Sequence, residues 1–363
     1  MDRDYMKRVI ELANQGSGFV NPGPLSGALL VKDNRILGEG FYEAYSAQGA
    51  EIAVLSRTRE DLNDADLYLN IEPFQSEAQI RESLRLILGK GIGRVLIGMR
   101  DPMPGKKLDF MKELEELGVR YEVGVLQAEC EEQNEIYTYY CKNRKPFVIV
   151  KWAMTLDGKL ATKTGDSKWI SSDDSLKFVH QLRQRVAAIL VGENTVKQDN
   201  PMLTTRLDGN KCSNPLRVIV SRYGDIPVDS KVLQVEEGVR TLIIASEHLP
   251  PEKEEIFYRK GVMVEKLKER SGKLYFPDIL EVLGRRGVDS LYIEGGSSIL
   301  ASAFECGCVH KVYTAIAPKI IGGREAFTPV GGAGIERMRD AIMLKRVSYE
   351  IVGPDILVKG YLI

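Results

Sequence analysis

The segment Glu294-Gly295-Gly296-Ser297-Ser298 contains the residue types that bind a phosphate group. It follows residues 289–293, which are predicted to form a strand, and it precedes a helical pattern over about 299–304. Glycines and hydroxyls between a strand and a helix leave backbone N–H groups pointing outward with no Cβ in the way. A turn without a ligand has the same composition, and the segment is not the G-x-G-x-x-G fingerprint. Phosphate binding and a plain turn therefore both remain open.

A second pattern has the layout of a zinc site that activates water, but lacks the ligands. A nucleobase-deaminating site holds Zn²⁺ with one His and two Cys and uses a Glu to move protons, in an H-x-E motif followed by P-C and a further Cys. Glu51 and Pro73 are present, whereas Gly49, Phe74 and Ser83 occupy the ligand positions. These three side chains supply neither an imidazole nor a thiolate. We expect no zinc here and interpret Glu51 as an ordinary carboxylate at a helix N-terminus.

Composition limits what else the chain can do. Its 363 residues suggest two domains, and 50 basic against 51 acidic residues provide no general attraction for nucleic acid or a membrane. The N-terminus has no signal-peptide pattern, and no run of about 18 apolar residues occurs. Five cysteines in no disulfide-like framework indicate reduced thiols. We expect a cytoplasmic protein that acts on a small molecule, with no nucleic-acid or membrane partner.

Helical and strand patterns alternate along the chain and predict an α/β fold. The last pattern of the first half is a polar helix over about 127–145, which ends before Pro146. We place the domain border there, giving domains 1–145 and 146–363. The predicted helices are 5–14, 50–57, 77–88, 111–117, 127–145, 176–184 and 299–304, and the predicted strands are 25–31, 35–40, 66–71, 94–99, 119–125, 147–153, 187–191, 216–220, 240–245 and 289–293.

Short motifs in a fixed order carry a family resemblance. In the first half they are Asn21-Pro22-Gly23-Pro24, Gly27–Lys32, Gly38–Gly40 and Met99–Pro102; in the second they are Lys151–Lys159, Gly165–Ile170, Val191–Val196 with Asp199–Pro201, Ile293–Gly296 and Ala317–Gly323. The chain resembles the bifunctional riboflavin-biosynthesis deaminase/reductase family over nearly its whole length. The resemblance implies a cytidine-deaminase-like N-terminal domain, a dihydrofolate-reductase-like C-terminal domain that uses NADPH, and a homo-oligomer.

The two reactions of that family fare differently in this sequence. Deamination should fail, because Glu51 has no zinc-bound hydroxide to direct. The resemblance implies that the second domain reduces the ribosyl group of 5-amino-6-(5-phosphoribosylamino)uracil to a ribitylamino product. Lys151, expected at a strand end, would polarise or protonate the reacting end, and Asp199 would orient the sugar hydroxyls. The alternatives are that Lys151 only pairs with a carboxylate and that Asp199 only begins a turn.

The resemblance also assigns binding residues. Arg183 and Arg206 would bind the substrate phosphate as guanidinium forks, although Arg183 at a polar helix end is by default solvated. Trp169 would line the cofactor site or, alternatively, belong to the core. The substrate-binding set is Ser167, Arg183, Leu203, Arg206 and Glu294, and the cofactor-binding set is Ala153, Trp169, Thr195, Asp199, Ser221, Gly295, Gly296, Ser297 and Ser298.

The residues after the predicted strand 216–220 bear on the choice of cofactor. Ser221 and Arg222 stand where the family usually has an Asp. A hydroxyl and a guanidinium favour the 2′-phosphate of NADPH over the free diol of NADH.

Three functions remain open at this stage. The chain is a reductase with an inactive deaminase half, which we favour, or a bifunctional enzyme with an unusual metal site, or a non-catalytic protein that binds a nucleotide. The presence of Lys151, Asp199, Arg206 and Glu294 together argues against the last, since a binding module does not need all four.

Overall fold

The computed structural model of the protein describes residues 1–74, 76–105, 108–207 and 212–362. The chain divides into two compact units, Met1–Arg144 and Lys145–Ile363. Within the described part, no helix is long and apolar enough to cross a membrane.

The first unit is a sheet with helices on both faces. Its strands lie in the order β2-β1-β3-β4-β5, with β3, β4 and β5 parallel and β1 antiparallel to both of its neighbours. The elements are α1 Asp2–Asn14, β1 Gly27–Lys32, β2 Arg35–Phe41, α2 Ala50–Arg57, β3 Asp66–Ile71, α3 Glu77–Gly89, β4 Arg94–Met99, α4 Phe110–Glu116, β5 Arg120–Val123, α5 Gln127–Gln133 and α6 Glu135–Asn143.

The apolar run of β1 explains why both faces of this sheet are covered. Side chains alternate between the faces of a strand, so a continuous apolar run needs a core on each side. Leu30 packs with α2, α3 and α4 residues in one core. Leu29 packs with α1 and the α5–α6 segment in the other. The α/β pattern expected from the sequence is present in this unit.

The single helix expected over 127–145 is wrong, because the segment forms two helices. Asn134 separates them with a non-helical backbone conformation, φ −103° and ψ 20°. Its buried side chain accepts a hydrogen bond from the Leu25 N–H at 2.8 Å and donates one to the Leu25 carbonyl at 3.1 Å. This pairing with a distant segment satisfies the Leu25 backbone and interrupts the helix.

The second unit contains a large, mostly parallel sheet. Its strand order within the described residues is β10-β9-β8-β7-β13-β6-β14-β16-β15, with only β16 and β15 antiparallel to their neighbours. The elements are β6 Phe147–Thr155, α7 Asp173–Arg185, β7 Ala188–Gly192, α8 Glu193–Asp199, β8 Leu216–Val220, β9 Thr241–Ser246, α9 Pro251–Arg259, β10 Met263–Leu267, β11 Glu269–Arg270, β12 Lys273–Leu274, α10 Phe276–Arg285, β13 Ser290–Glu294, α11 Ser297–Glu305, β14 Lys311–Ala317, β15 Lys345–Val352 and β16 Asp355–Tyr361.

The two faces of this sheet are covered differently. Val148 and Val150 pack in a core with residues of α10 and α11. The opposite face of β6 carries Lys151, and there α7 contacts the sheet through Phe178, whose ring lies 5.1 Å from that of Tyr313. Because β7, β13 and β6 run parallel, their carboxyl ends meet at one edge. The candidate site lies between α7 and this edge.

Candidate functional site

Lys151 lies near the centre of the site on β6. The strand continues to Thr155, so the expected position of Lys151 at a strand end is wrong. The side chain is buried, and desolvation lowers the pKa of its ammonium to about 8, with Glu294 opposing that effect and Arg183 adding to it. Among the described residues, none forms a hydrogen bond or salt bridge with this ammonium group. A buried cation with a lowered pKa and free N–H donors is suited to giving up a proton.

Glu294 ends β13 directly beside Lys151 and is held by Arg183. The Cα atoms of Glu294 and Lys151 are register partners in the parallel ladder. Arg183 donates from Nε to Oε2 of Glu294 at 2.9 Å and from Nη2 to Oε1 at 2.6 Å. The default of a solvated Arg183 is therefore wrong, since this side chain is only 8% exposed.

The remaining arm of Arg183 bonds to a loop rather than pointing to open space. Its Nη1 donates to the Thr204 carbonyl at 2.9 Å. All three nitrogen atoms of the guanidinium thus have protein partners. In this arrangement three of the five N–H donors of Arg183 orient Glu294 and the loop, so its role here is to position these groups.

The loop of residues 202–206 is held by side chains at four backbone positions. Besides Arg183 at Thr204, Arg217 donates to the Met202 carbonyl at 3.3 Å. The side chain of Asn214 accepts from the Thr205 N–H at 2.9 Å, and His180 Nδ1 accepts from the Arg206 N–H at 3.2 Å. Leu203 lies buried in this loop with a left-handed backbone, φ +56°. Because its side chain is buried, we expect Leu203 to act on a substrate through the shape of this loop.

Arg206 is the exposed cation at the end of this loop. Its Nη1 donates to Thr204 Oγ1 at 3.3 Å, and its Nη2 lies 3.5 Å from Nε2 of His180. No carboxylate pairs with it among the described residues. An oriented guanidinium without a counter-ion is a ready phosphate ligand.

Two further expected substrate residues lie on neighbouring segments. Ser167 is half-buried in the segment 156–172 between β6 and α7. Asp199 is the last residue of α8, where burial raises the pKa of its carboxyl and the nearby Lys168 opposes the rise. Asp199 therefore ends a helix and does not simply begin a turn.

The glycine turn after β13 has the geometry expected of an anion cradle. Gly295 and Gly296 have φ values of +84° and +81°, a left-handed region that favours glycine. A Cβ on Gly296 would lie 3.4 Å from Thr195 Oγ1, and one on Gly295 would meet open space. Ser297 and Ser298 form the first turn of α11, which leaves their backbone N–H groups unpaired within the helix.

The other expected cofactor residues lie on α8, on β6 and in the segment between β6 and α7. Thr195 lies in the first turn of α8, and Ala153 is two residues beyond Lys151 on the same face of β6. Trp169 is 69% exposed, so the alternative that it is a core aromatic is wrong. A large exposed ring offers a surface on which a flat cofactor ring can stack.

The contacts of Ser221 and Arg222, which follow β8, do not support the sequence-based preference for NADPH over NADH. Ser221 is buried, and its hydroxyl donates to the Glu193 carboxylate. Arg222 donates from Nε to the Glu269 carboxylate at 2.8 Å. Although no Asp follows the strand, carboxylates are still present at this position, because Glu193 on α8 and Glu269 on β11 bond to Ser221 and Arg222.

Three hydrogen bonds hold the long segment 318–344, two to the side chain of Asp157 and one to the backbone of Ser297 at the start of α11. Asp157 accepts from the N–H groups of Gly322 at 2.7 Å and Ile321 at 3.3 Å. The Ser297 carbonyl accepts from the Gly331 N–H at 3.1 Å. Asp157 therefore anchors this segment.

In the first unit, the positions of a zinc site lie together without zinc ligands. Gly49 caps α2, and Glu51 is buried in the first turn of that helix. Ser83 on α3 lies beside Glu51, and Oε1 of Glu51 and Oγ of Ser83 are both buried without a well-formed hydrogen bond. Burial raises the pKa of Glu51 to about 7, so the interpretation of Glu51 as an ordinary helical carboxylate is wrong.

Phe74 fills the position of the first Cys with an aromatic contact. Its ring centroid lies 5.1 Å from that of Tyr42 and 6.2 Å from that of Tyr137. A cavity of about 280 Å³ adjoins these rings. Among the described residues, no group of three or more His, Cys, Asp or Glu side chains is placed to hold a metal ion.

Sequence reasoning missed His180 and Arg217, which support the loop 202–206. A signal was present for His180, since it precedes Arg183 by three residues and thus lies on the same helix face. Nothing comparable marked Arg217, whose partners come from three separate segments.

Comparisons with known proteins agree over both units. Residues 146–358 match the family model described as RibD C-terminal domain. The chain is 39% identical to the riboflavin biosynthesis protein RibD of Actinobacillus pleuropneumoniae over 98% of this chain and 94% of that protein. It is 32% identical to the chloroplastic riboflavin biosynthesis protein PYRR of Arabidopsis thaliana over 99% of this chain and 61% of that protein.

A solved structure is similar over the full length. It is the diaminohydroxyphosphoribosylaminopyrimidine deaminase/5-amino-6-(5-phosphoribosylamino)uracil reductase of Thermotoga maritima, with a TM-score of 0.86, 33% identity, and coverage of 99% of this chain and 98% of that one. These likenesses confirm the expected fold class, a cytidine-deaminase-like domain followed by a dihydrofolate-reductase-like domain.

Proposed function

The chain belongs to the RibD family of riboflavin-biosynthesis proteins, and we propose that its second unit reduces the ribosyl group of 5-amino-6-(5-phosphoribosylamino)uracil with NADPH. The observation that carries the proposal is the buried ammonium of Lys151 beside the Glu294–Arg183 pair. In this proposal Lys151 is the proton donor and Glu294 the fixed carboxylate, at the edge of the sheet where the glycine turn begins.

The described residues fit a bound dinucleotide at the glycine turn. Thr195, Gly295, Gly296 and the first turn of α11 would hold its phosphates, since the turn offers N–H groups and open space. Ala153 and Trp169 would contact the nicotinamide end. When bound, NADPH supplies a hydride to C1′ of the substrate. The preference for NADPH over NADH rests on the family relationship, because Ser221 and Arg222 are bound to carboxylates.

Lys151 supplies the matching proton. Reduction of a ring-opened imine converts C1′=N into C1′H–NH, so the nitrogen must gain one proton for each hydride that the carbon gains. With a pKa of about 8, Lys151 is mostly protonated at neutral pH and still gives up a proton readily. Glu294, fixed by Arg183, and Asp199 orient the sugar hydroxyls, which sets C1′ in place.

Arg206 and Ser167 bind the 5-phosphate of the substrate in this proposal. Arg206 is exposed, oriented by Thr204 and His180, and without a carboxylate among the described residues. These features support its assignment over Arg183, which is buried and already bonds to Glu294 and Thr204 through all three of its nitrogen atoms.

We infer that the first unit neither binds zinc nor deaminates a pyrimidine. Gly49 offers no side chain, Phe74 packs against Tyr42, and the hydroxyl of Ser83 is a poor zinc ligand. Without a metal to lower the pKa of water, Glu51 has no hydroxide to direct. The unit then serves as a structural part of a monofunctional reductase.

We also propose that a second copy of the chain covers the edge strand β15. Val347, Tyr349 and Ile351 alternate on one face of this strand and are 48%, 78% and 71% exposed. Such alternation is typical of a strand with one covered face, and an unpaired edge is a template for another strand. Light scattering should give a multiple of the chain mass, and charged residues at Tyr349 and Ile351 should reduce it to the monomer value.

The reductase proposal is tested by following NADPH oxidation with the deaminated uracil substrate. Turnover that yields the ribitylamino product supports it. NADPH binding without turnover would instead indicate a nucleotide-binding protein, and the absence of both would overturn the proposed site.

A further inference from the structure

His180 links helix α7 to the exposed guanidinium of Arg206. Its Nδ1 accepts from the backbone N–H of Arg206 at 3.2 Å, and its Nε2 lies 3.5 Å from Nη2 of the same residue. His180 thus bonds to the backbone of Arg206, while its Nε2, which carries the proton in that tautomer, lies beside the guanidinium without accepting from it. Of the four side chains that hold the loop 202–206, it is the one that acts on Arg206 directly.

The imidazole is suited to this contact because it is neutral. Burial and the nearby guanidinium groups of Arg183 and Arg206 lower the pKa of His180 to about 4. At neutral pH the Nδ1 lone pair is therefore available to accept the backbone N–H. A lysine or arginine at this position would repel Arg206 and offer no acceptor.

The position of the histidine on α7 couples it to the reacting end of the site. His180 and Arg183 are three residues apart on one helix face, and Arg183 holds Glu294 beside Lys151. One helix face thus fixes both the carboxylate near the reacting carbon and the cation at the far end of the loop. The distance between the two ends of a bound substrate would then be set by α7.

We propose that His180 is a positioning residue that aims Arg206 at the 5-phosphate of the substrate. This inference rests on the proposed reductase function and assigns His180 a specific task at the phosphate-binding end of that site. His180 does not contact the reacting atoms. Its removal should weaken substrate binding through the phosphate and leave the chemical step intact.

The test compares His180→Leu with His180→Asn. The Oδ1 atom of asparagine occupies about the position of Nδ1 and can accept the Arg206 N–H, whereas leucine fills the space without an acceptor. The loss of one such hydrogen bond should raise KM for the phosphorylated substrate about five- to tenfold in the leucine variant. The KM for NADPH and kcat should stay near wild type, and the asparagine variant should recover most of the loss.

A second substrate distinguishes positioning from a merely structural role. With the dephosphorylated substrate, the three proteins should have the same KM, because Arg206 then has no phosphate to bind. Equal KM values for the phosphorylated substrate in all three proteins would overturn the inference. So would a fall in kcat for both substrates in the leucine variant, because that result indicates general disruption of the fold.

A binding measurement separates failure of this inference from failure of the proposed function. Calorimetry with ribose 5-phosphate should give a weaker affinity for the leucine variant than for wild type and the asparagine variant. If wild type does not turn over but shows this order of affinities, the reductase proposal fails and the positioning role stands. If wild type turns over and the affinities are equal, the positioning role alone fails. If wild type neither turns over nor binds ribose 5-phosphate, both are wrong.

Discussion

Lys151 and Glu294 are register partners on adjacent parallel strands, yet both carboxylate oxygens of Glu294 accept hydrogen bonds from Arg183. The ammonium of Lys151 therefore lies beside an anion without being bound by it. Burial can then lower the pKa of the lysine while Arg183 keeps the carboxylate fixed. This division of roles underlies the proposed chemistry and the first two predictions.

Replacing Lys151 with methionine should abolish most of the reductase activity while the fold is retained. Loss of a general acid lowers kcat by about 10²- to 10⁴-fold. The affinity for NADPH, measured by fluorescence titration, should stay within about threefold of wild type. The control is Lys177→Met, which removes an exposed lysine of α7. A Lys151 variant with wild-type kcat would contradict the assignment.

The same lysine predicts how activity depends on pH. A free-enzyme pKa of about 8 means that kcat/KM should fall as pH rises through 8, because the proton donor is then lost. Stability should change in the opposite direction. The folded protein binds fewer protons than the unfolded chain between about pH 8 and 10.4, so this group makes unfolding less favourable as pH rises there. A pH-independent kcat/KM from 7 to 9 would contradict the role.

Breaking the Arg183–Glu294 pair should destabilise the second unit. Arg183→Met leaves the partly buried Glu294 without its partner and should cost about 2 kcal/mol, less than for a fully buried pair because Glu294 is 26% exposed. A double-mutant cycle with Glu294→Gln, followed by urea unfolding, measures the coupling. Strictly additive effects would show that the pair is not energetically linked.

Alanine at Gly296 should impair cofactor binding. The added Cβ would meet Thr195 Oγ1 at 3.4 Å and narrow the cradle, so KM for NADPH should rise about tenfold or more, a loss of at least 1.4 kcal/mol. Gly287→Ala is the matched control, since Gly287 has a similar φ of +78° and open space around its Cβ position. Both variants carry the backbone strain, and only the first should change KM. An equal rise in both would indicate strain alone.

Glutamine at Glu51 should stabilise the protein at high pH. The folded pKa of about 7 exceeds the ordinary value of 4.5, so the folded state binds more protons between these pH values. Wild-type stability should therefore fall as pH rises from about 4.5 to 7 and stay low above it. Glu51→Gln should gain up to about 3 kcal/mol at pH 8 and little at pH 4.5, by urea unfolding. Glu115→Gln, on the exposed face of α4, is the control, and an equal effect of both variants would contradict the burial argument.

Local patterns predicted elements well wherever an apolar run and its boundaries lie close together. The strands Asp66–Ile71, Arg94–Met99 and Leu216–Val220 have the predicted bounds. The segments from Pro251 to Arg285 and from Lys311 to Tyr361 were not assigned. Apolar and polar residues alternate in β15, but almost the whole strand is exposed, so the alternation did not mark a face that packs in the core.

Long-range pairing explains what the sequence did not reveal about the site. Arg183 appeared to be a solvated residue because its partner Glu294 is 111 residues away. Ser221 appeared free to bind a phosphate because the sequence does not show that Glu193, 28 residues earlier on α8, accepts its hydroxyl. Residue types suggested the chemistry of the site, whereas the pairings that decide which donors are free depend on the folded chain.

Zinc-replete protein is given the undeaminated pyrimidine precursor and, separately, its deaminated uracil counterpart, while ammonia release and NADPH oxidation are followed. We expect NADPH oxidation with the uracil substrate only, and no ammonia from the precursor. Ammonia release from the precursor would contradict the interpretation of Gly49, Phe74 and Ser83, and a lack of NADPH oxidation with the uracil substrate would contradict the reductase site built around Lys151.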